Sequence, residues 1–379
     1  MKIIQEGKAR INTYAAETVS KDMPVFYNPA MHINRDISVL LLNSIDKNGM
    51  QIALPLAATG VRGIRFLLEL KKGKVKYISF NDRSSEAVKL IKSNLRLNKI
   101  KLSKKIIVTN LDANEFLLSS KGFDYIDIDP FGSPNFLLDN AVKRIARQGI
   151  IAVTATDTAA LCGTSRNACL RKYSSKPLKN EFCHELGLRI LIKKVQESAS
   201  QHDKALTPIF SYSKEHYFRI FLKCEKGKKK ADEIMKNHGY ILHCKKCLFR
   251  KNADSIFNDE KCPLCKSKLD YAGKIWLDPL YDKKLAEKMS QEARKSENKE
   301  LIKLMQVISN ESKINEVGFY DIAKVVKHNK LKNVPKKELL INEIKKQGFK
   351  AAETHIRPNS IRSNIKLKEL LKLIKKITR

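Results

Sequence analysis

No run of about eighteen apolar residues occurs anywhere in the chain, so no membrane-spanning helix is expected. The opening segment, M-K-I-I-Q-E-G-K-A-R, lacks the apolar core of a secretory leader. Cysteine is scarce, with eight in 379 residues, too few for a disulfide-stapled secreted scaffold. These absences point to an intracellular, cytoplasmic protein. Acid is scarce relative to base: 40 Asp plus Glu stand against 74 Lys plus Arg, giving a formal charge of +34 and a pI of about 9.8. The usual partner for such an excess is a polyanion, either nucleic acid or an anionic membrane surface. Part of the lysine count also fits a high-temperature composition. An apolar content of 42% is too high for a disordered basic tail. At roughly 150 residues per domain, the length suggests two or three domains.

From residue 36 onward strands and helices alternate. Asp36–Asp46 reads as a helix with Ile37, Leu40, Leu41 and Ile45 on one face. Apolar runs at 51–57, 75–80, 105–109, 123–128 and 149–155 read as strands, with helices expected at 64–71, 85–97 and 134–147. This pattern predicts a parallel, doubly wound sheet. A helix at 182–200 precedes two strands, 206–213 and 216–224, that form an antiparallel hairpin. The G-K-K-K run at Gly227–Lys230 suggests a boundary, giving a catalytic unit at 1–226 and a second unit at 227–379.

Ligands of open α/β sheets sit beyond the carboxyl ends of the strands, and the punctuated loops fall there. In A-A-T-G-V-R-G, Gly60 permits a tight turn and Gly63 allows close helix–strand approach. Asp82 can accept both hydroxyls of a ribose, or cap the helix that follows. Asp112 with Ala113 can read an adenine amino group, or again cap a helix. The first loop is too short for a pyrophosphate-type glycine fingerprint, so S-adenosylmethionine fits better than a dinucleotide. The octapeptide D-I-D-P-F-G-S-P, Asp127–Pro134, resembles the Asp/Asn-Pro-Pro-Tyr/Phe loop of methyltransferases that modify amino groups on planar rings. An exocyclic amine is a poor nucleophile because its lone pair is delocalised into the ring. A carboxylate that accepts its N–H polarises it and can take the proton as the new C–N bond forms.

Six motifs together resemble the tRNA (guanine-26-N2)-dimethyltransferases, in their archaeal form. They are F-Y-N-P-A-M-H-I-N-R-D (26–36), L-A-A-T-G-V-R-G-I-R (56–65), D-I-D-P-F-G-S-P (127–134), T-A-T-D-T-A-A-L-C-G (154–163), I-W-L-D-P-L-Y-D (275–282) and T-H-I-R-P-N-S-I-R (354–362). The resemblance spans nearly the whole chain. It implies a Rossmann-like S-adenosylmethionine-dependent methyltransferase domain, followed by a smaller α+β domain with a zinc site and basic helices. It also implies tRNA as partner and methylation of guanine-26 at N2, once and then twice. Asp129 would be the catalytic carboxylate, with Phe131 and Phe26 on the two faces of the guanine. Arg35, Arg65, Asp82, Asp112 and Ala113 would hold the cofactor. Read without the resemblance, Arg35 and Arg65 are surface charges and Phe26 is a core residue. The first strand carries Ile52–Pro55 where the family pattern often has an acid, so no carboxylate comes from that strand. Cys162 reads as packing, since attack at an exocyclic nitrogen needs no covalent adduct. Asp157 reads equally as pocket lining or as a helix cap.

Cys244-x2-Cys247 and Cys262-x2-Cys265 are separated by fourteen residues. Each knuckle offers two thiolates to one ion, so the four are expected to close a structural, tetrahedral site for zinc or an equivalent metal within a ribbon-like stretch at 240–270, the other readings being a disulfide pair and free thiols. Residues 283–379 carry 25 basic and 11 acidic side chains, the densest positive charge in the chain and a surface for the RNA backbone. His355, Arg357, Arg362 and the lysines of the closing helix are the candidate contacts. Nothing in the sequence calls for an obligate protein partner. Two other readings stay open: an N-methyltransferase acting on another guanine of tRNA or rRNA, and a non-catalytic zinc-containing RNA-binding protein.

Overall fold

A computed structural model describes residues 1–14, 23–256 and 261–378, so residues 257–260 of the expected ribbon lie outside the described residues. The chain opens with a hairpin, β1 (Lys2–Glu6) and β2 (Ala9–Thr13). Helix α1 (His32–Ser44) precedes the strands β3 (Met50–Leu54), β4 (Val75–Asn81), β5 (Ile106–Thr109), β6 (Phe123–Ile128) and β7 (Ile145–Ala155). The crossovers are α2 (Val61–Glu69), α3 (Ser85–Leu97), α4 (Ala113–Leu118) and α5 (Asn135–Arg144). Two short helices, α6 (Thr158–Leu161) and α7 (Arg166–Tyr173), lead to the long α8 (Cys183–Ser200) and the hairpin β8 (Lys204–Lys214) and β9 (Tyr217–Lys226).

These strands form one seven-stranded sheet in the order β5-β4-β3-β6-β7-β9-β8. The first five are parallel, and β9 and β8 add on antiparallel. Strand order reverses between β3 and β6, which marks the crevice where open α/β sheets bind ligands. The carboxyl ends of β3 and β6 and the β8–β9 turn share that edge. The central strands are buried on both faces, as Ile52, Ile78, Ile126, Ile151 and Ile220 are at 0% exposure, so they read as apolar runs rather than alternating ones.

Beyond α9 (Lys228–Lys236), the strands β10 (His238–His243), β11 (Arg250–Ala253) and β12 (Asp270–Trp276) form a three-stranded sheet. Helices α10 (Lys283–Ala293) and α11 (Lys299–Glu311) follow. The chain ends in a small sheet of β13 (Tyr320–Asp321), β14 (Ala351–Glu353) and β15 (Ser360–Ser363), packed with α12 (Ile322–His328), α13 (Lys337–Lys346) and α14 (Leu367–Ile377). The core of the large sheet continues through Ile241, Trp276, Met305 and Phe319. Cys244, Cys247 and Cys262 pack instead with Ile322, Leu340, Ile361 and Ile374 in a second cluster.

A buried ion cluster joins helix α8, in the middle of the chain, to the C-terminal elements. Glu185 on α8 accepts from Arg189 at 2.8 Å and from Arg362 on β15 at 2.7 Å. Arg362 also donates to Glu311 on α11 at 2.9 Å, and Glu311 accepts from His355 at 2.6 Å. Burial raises the carboxyl of Glu185, but the charges of Arg362 and Arg189 outweigh it and hold the group at about 2. Two expectations are corrected here. Arg362 is 2% exposed and fully engaged by carboxylates, and the His355 side chain is buried against Glu311. Neither is placed to grip RNA. A family motif rich in charge served the protein's interior, because only a buried acid neutralises a buried guanidinium. On α14 the expected division does occur: Leu367, Leu370, Leu373 and Ile374 are buried, and the lysines lie on the outer side.

Candidate active site

The central loop follows β6 at the strand-order reversal. The period-two alternation of a strand puts Tyr125, Asp127 and Asp129 on one face of the sheet. Asp127 is buried. It accepts from Arg219 on β9 through both oxygens, at 3.0 and 2.7 Å, and from the Tyr125 hydroxyl at 2.6 Å. Burial works to raise this carboxyl, while Arg219 and Arg62 outweigh burial and hold it below the ordinary carboxylate value. Asp129 is more open, with its side chain 24% exposed, and pairs with Arg62 of α2. The other terminal nitrogen of Arg62 donates to Asn34 Oδ1 at 2.9 Å and Ser38 Oγ at 3.0 Å, both on α1. The Asp129 carboxylate is thus aimed by a guanidinium that is itself held from two sides.

Arg62, Asp127 and Arg219 did not emerge as site residues from sequence. A signal was present for Arg219. A single charge inside the apolar strand Y-F-R-I-F-L must be buried with a partner, and the D-I-D spacing offers one on the same face.

The cofactor-side residues gather around the ends of β3, β4 and β5. Gly60 adopts φ +79°, and a Cβ on Gly63 would overlap the Phe80 ring and the Leu54 side chain, so both glycines are required by the turn. Asp82 accepts from the Ala58 amide at 2.9 Å and the Ser84 amide at 3.0 Å. The cap of α3 is Ser84, not Asp82, and each Asp82 oxygen keeps capacity for a further hydrogen bond. Asp112 does cap α4, accepting from Asn114 N at 2.9 Å, and Ala113 is the first residue of that helix.

Arg35 and Arg65 converge on Glu6 of the N-terminal hairpin. Arg35 donates Nε at 2.6 Å and Nη2 at 2.5 Å, and Arg65 donates Nη1 at 3.0 Å. Arg65 is further held by Asp36 at 2.6 Å and Glu69 at 2.8 Å. Burial raises the Glu6 carboxyl, but Arg35 and Arg65 bring it down to about 2. Arg35 Nη1 makes no hydrogen bond among the described residues.

Phe26 and Phe131 are brought together. Their ring centroids are 4.5 Å apart at 84°, edge to face, and Phe131 is 55% exposed. A base between them requires the rings to part. Asp157 bonds the Tyr173 hydroxyl at 2.7 Å and Lys172 at 3.3 Å, and its side chain caps no helix. Cys162 is buried, and its contact with Cys183 together with burial pushes its thiol up, away from a nucleophile's range.

The four clustered cysteines meet in space although their knuckles lie apart in sequence. The Sγ atoms of Cys244 and Cys265 are 3.4 Å apart, those of Cys247 and Cys262 are 3.5 Å apart, and all four lie within 4.8 Å of one another. Four thiolates at Zn–S distances of about 2.3 Å span nearly this set of separations, so the donor set fits a closed zinc centre.

The family model for N2,N2-dimethylguanosine tRNA methyltransferases matches residues 7–375. The chain belongs to that family. Among its relatives is the tRNA (guanine(26)-N(2)/guanine(27)-N(2))-dimethyltransferase of Aquifex aeolicus, 39% identical over 100% of this chain and 96% of the relative. Another is the tRNA (guanine(26)-N(2))-dimethyltransferase of Methanobrevibacter smithii, 38% identical over 100% of this chain and 98% of the relative. The structure of Trm1 from Pyrococcus horikoshii with S-adenosyl-L-methionine superposes with a TM-score of 0.87, at 35% identity, covering 98% of this chain and 99% of that one. The match to the dimethylguanosine family runs nearly from end to end of the chain.

Proposed function

We infer that this protein is an S-adenosylmethionine-dependent tRNA methyltransferase that adds one and then two methyl groups to the exocyclic N2 of guanine-26. The observation that carries the reading is the position of Asp129: a partly exposed carboxylate just past β6, at the strand-order reversal, in a chain that matches a tRNA dimethyltransferase family over 7–375. In this reading the 1–226 unit is catalytic and the 227–379 unit supplies the basic RNA-binding surface. Among the described residues no helix is long and apolar enough to cross a membrane. A cytoplasmic location is part of the proposal and follows from tRNA as substrate.

Bound S-adenosylmethionine supplies an electrophilic methyl group. Asp82 would accept the ribose hydroxyls, Asp112 and the Ala113 amide would meet the adenine, and Arg35 would favour the amino-acid carboxylate. Arg65, whose nitrogens are all held by Glu6, Asp36 and Glu69, would act on the cofactor side by fixing Glu6 beside Arg35. Asp129 would accept an N–H of the guanine amine, restoring electron density to the nitrogen and taking its proton as the bond forms. Monomethylguanine keeps one N–H, so the same carboxylate serves the second transfer. Phe131 and Phe26 would stack on the extruded base and offset the unstacking cost of a few kcal/mol.

Purified protein incubated with labelled cofactor and unmodified tRNA is expected to yield N2-methyl- and N2,N2-dimethylguanosine at position 26. Nucleoside mass spectrometry and mapping of positions 26 and 27 read the result. Absence of label transfer while tRNA is bound would refute the enzyme reading. The zinc centre makes a separate prediction. Freshly purified protein should carry about one zinc per chain, and Cys262→Ser should release it. That variant should lower the thermal midpoint by more than about 5 °C, because metal binding energy is folding energy at such sites. Wild-type protein without bound metal would refute the centre.

A further inference from the structure

The sheet face that carries Asp129 also holds a layer of buried polar groups that the proposed chemistry leaves unused. On β9, Arg219 lies opposite Thr154 of β7, and Ile128 of β6 lies opposite Val153. Asp129 is therefore level with Thr154 and Arg219. Tyr217 comes two residues nearer the ligand-binding edge of the sheet, on the face that Arg219 shares with Asp127 and Asp129. Strands about 4.8 Å apart, rising about 3.3 Å per residue, place its backbone roughly two strands across and one pleat repeat beyond Asp129. The two side chains are near enough for the Asp129 charge to act on the phenol.

Tyr217 is 3% exposed, and among the described residues its hydroxyl has no hydrogen-bond partner. Its ring is fixed edge-on against Tyr212, with centroids 5.9 Å apart at 82°. The two hydroxyls lie near enough to influence one another, yet among the described residues no hydrogen bond of ordinary geometry reaches either. Buried polar groups are almost always satisfied, so an orphan hydroxyl beside a ligand site points to a ligand atom. Burial, with Glu215 and Asp129 nearby, pushes the phenol above its ordinary value. It stays protonated at neutral pH and acts as a donor. A donor needs an acceptor on the base, and O6 stands at the far end of the edge that carries N2.

We propose that the Tyr217 hydroxyl donates to O6 of the target guanine, so that Asp129 and Tyr217 together read the two ends of its Watson–Crick edge. This rests on the reading of Asp129 as the group that engages N2. Tyr217 is then a specificity residue. It fixes the angle of the base, and it penalises purines that carry the exocyclic amine without the carbonyl.

The test uses the full chain and two tRNAs that differ at position 26, one with guanine and one with 2-aminopurine, which keeps the amine and lacks O6. Wild type should favour guanine. Tyr217→Phe keeps the ring and its packing. It should lower kcat/KM on guanine about tenfold, the effect of one hydrogen bond, and leave 2-aminopurine within about twofold. The guanine preference should shrink by the same tenfold. Tyr212→Phe, which removes the neighbouring hydroxyl, should leave that preference unchanged. Equal losses on both tRNAs, no loss on either, or the same selective loss from Tyr212→Phe would overturn the proposal. A wild-type enzyme inactive on guanine would instead overturn the reading beneath it.

Discussion

Asp129→Asn lowers the rate of methyl transfer about a thousandfold, while affinities for tRNA and cofactor change by less than about threefold. The substitution is nearly isosteric, so the loop and its pairing with Thr156, at 2.7 and 2.9 Å through Gly132, should survive. What changes is the chemistry of the atoms that face the amine. An amide nitrogen donates where a carboxylate accepts, and it cannot take a proton. Positioned acid–base groups contribute about 10²–10⁴-fold, and a thousandfold loss corresponds to about 4 kcal/mol of transition-state stabilisation. Arg62 keeps Asp127, Asn34 and Ser38 as partners, so the framework should hold. Single-turnover transfer and filter binding measure the two quantities separately. Activity within tenfold of wild type would remove Asp129 from the catalytic role.

The second large effect is on stability. Glu185→Gln takes the negative charge from between Arg189 and Arg362, both buried. Breaking a buried pair by removing one partner costs about 3–5 kcal/mol, which should lower the urea midpoint clearly at pH 7. The same cluster sets an acid limit. Burial raises the carboxyls of Glu185 and Glu311, but Arg362 with Arg189, and His355 with Arg362, hold them at about 2 in the folded chain. In the unfolded chain they return to near 4.5 and bind protons at higher pH. Their contribution is therefore complete above about 4.5 and is lost as the pH falls toward 2. Wild type should lose stability steeply across that window, and Glu185→Gln should lose less. Equal urea midpoints for the two proteins at pH 7 would show that the cluster does not hold the fold together.

What could be read in the sequence was what is local. Each strand–helix unit of the sheet carries its own apolar pattern, and the zinc knuckles are set by two-residue spacers. The short helices α6 and α7 escaped because they are brief and, in α7, charged at Arg166, Arg171 and Lys172. The helix expected at 134–147 stops at Arg144, because Ile145 pairs with Phe123 and begins β7. Apart from the lone charge of Arg219 in its apolar strand, the electrostatic frame could not be read. Arg62 meets Asp129 across 67 residues, Arg219 meets Asp127 across 92, and Arg362 meets Glu185 across 177. Composition counts such charges without saying which face water. The +34 excess therefore overstates the surface available to RNA, since several of its strongest members are spent inside.

The edge-to-face contact of Phe26 and Phe131 also bears on time. The backbone after Phe26 is pinned, with the Tyr27 hydroxyl on Glu6 at 2.9 Å and the Asn28 carbonyl on Arg35 at 3.0 Å. The backbone after Phe131 is pinned too, through Gly132 to Thr156. On the proposed sandwich, the rings therefore part by rotation of a side chain, and the exposed Phe131 is the one that swings through water. Exposed rotamers exchange in picoseconds to nanoseconds, whereas loop rearrangements reach microseconds and collective motions milliseconds. On that proposal the protein's side of the slot would open on the side-chain timescale, and the unstacking of the nucleotide would set the pace of base entry.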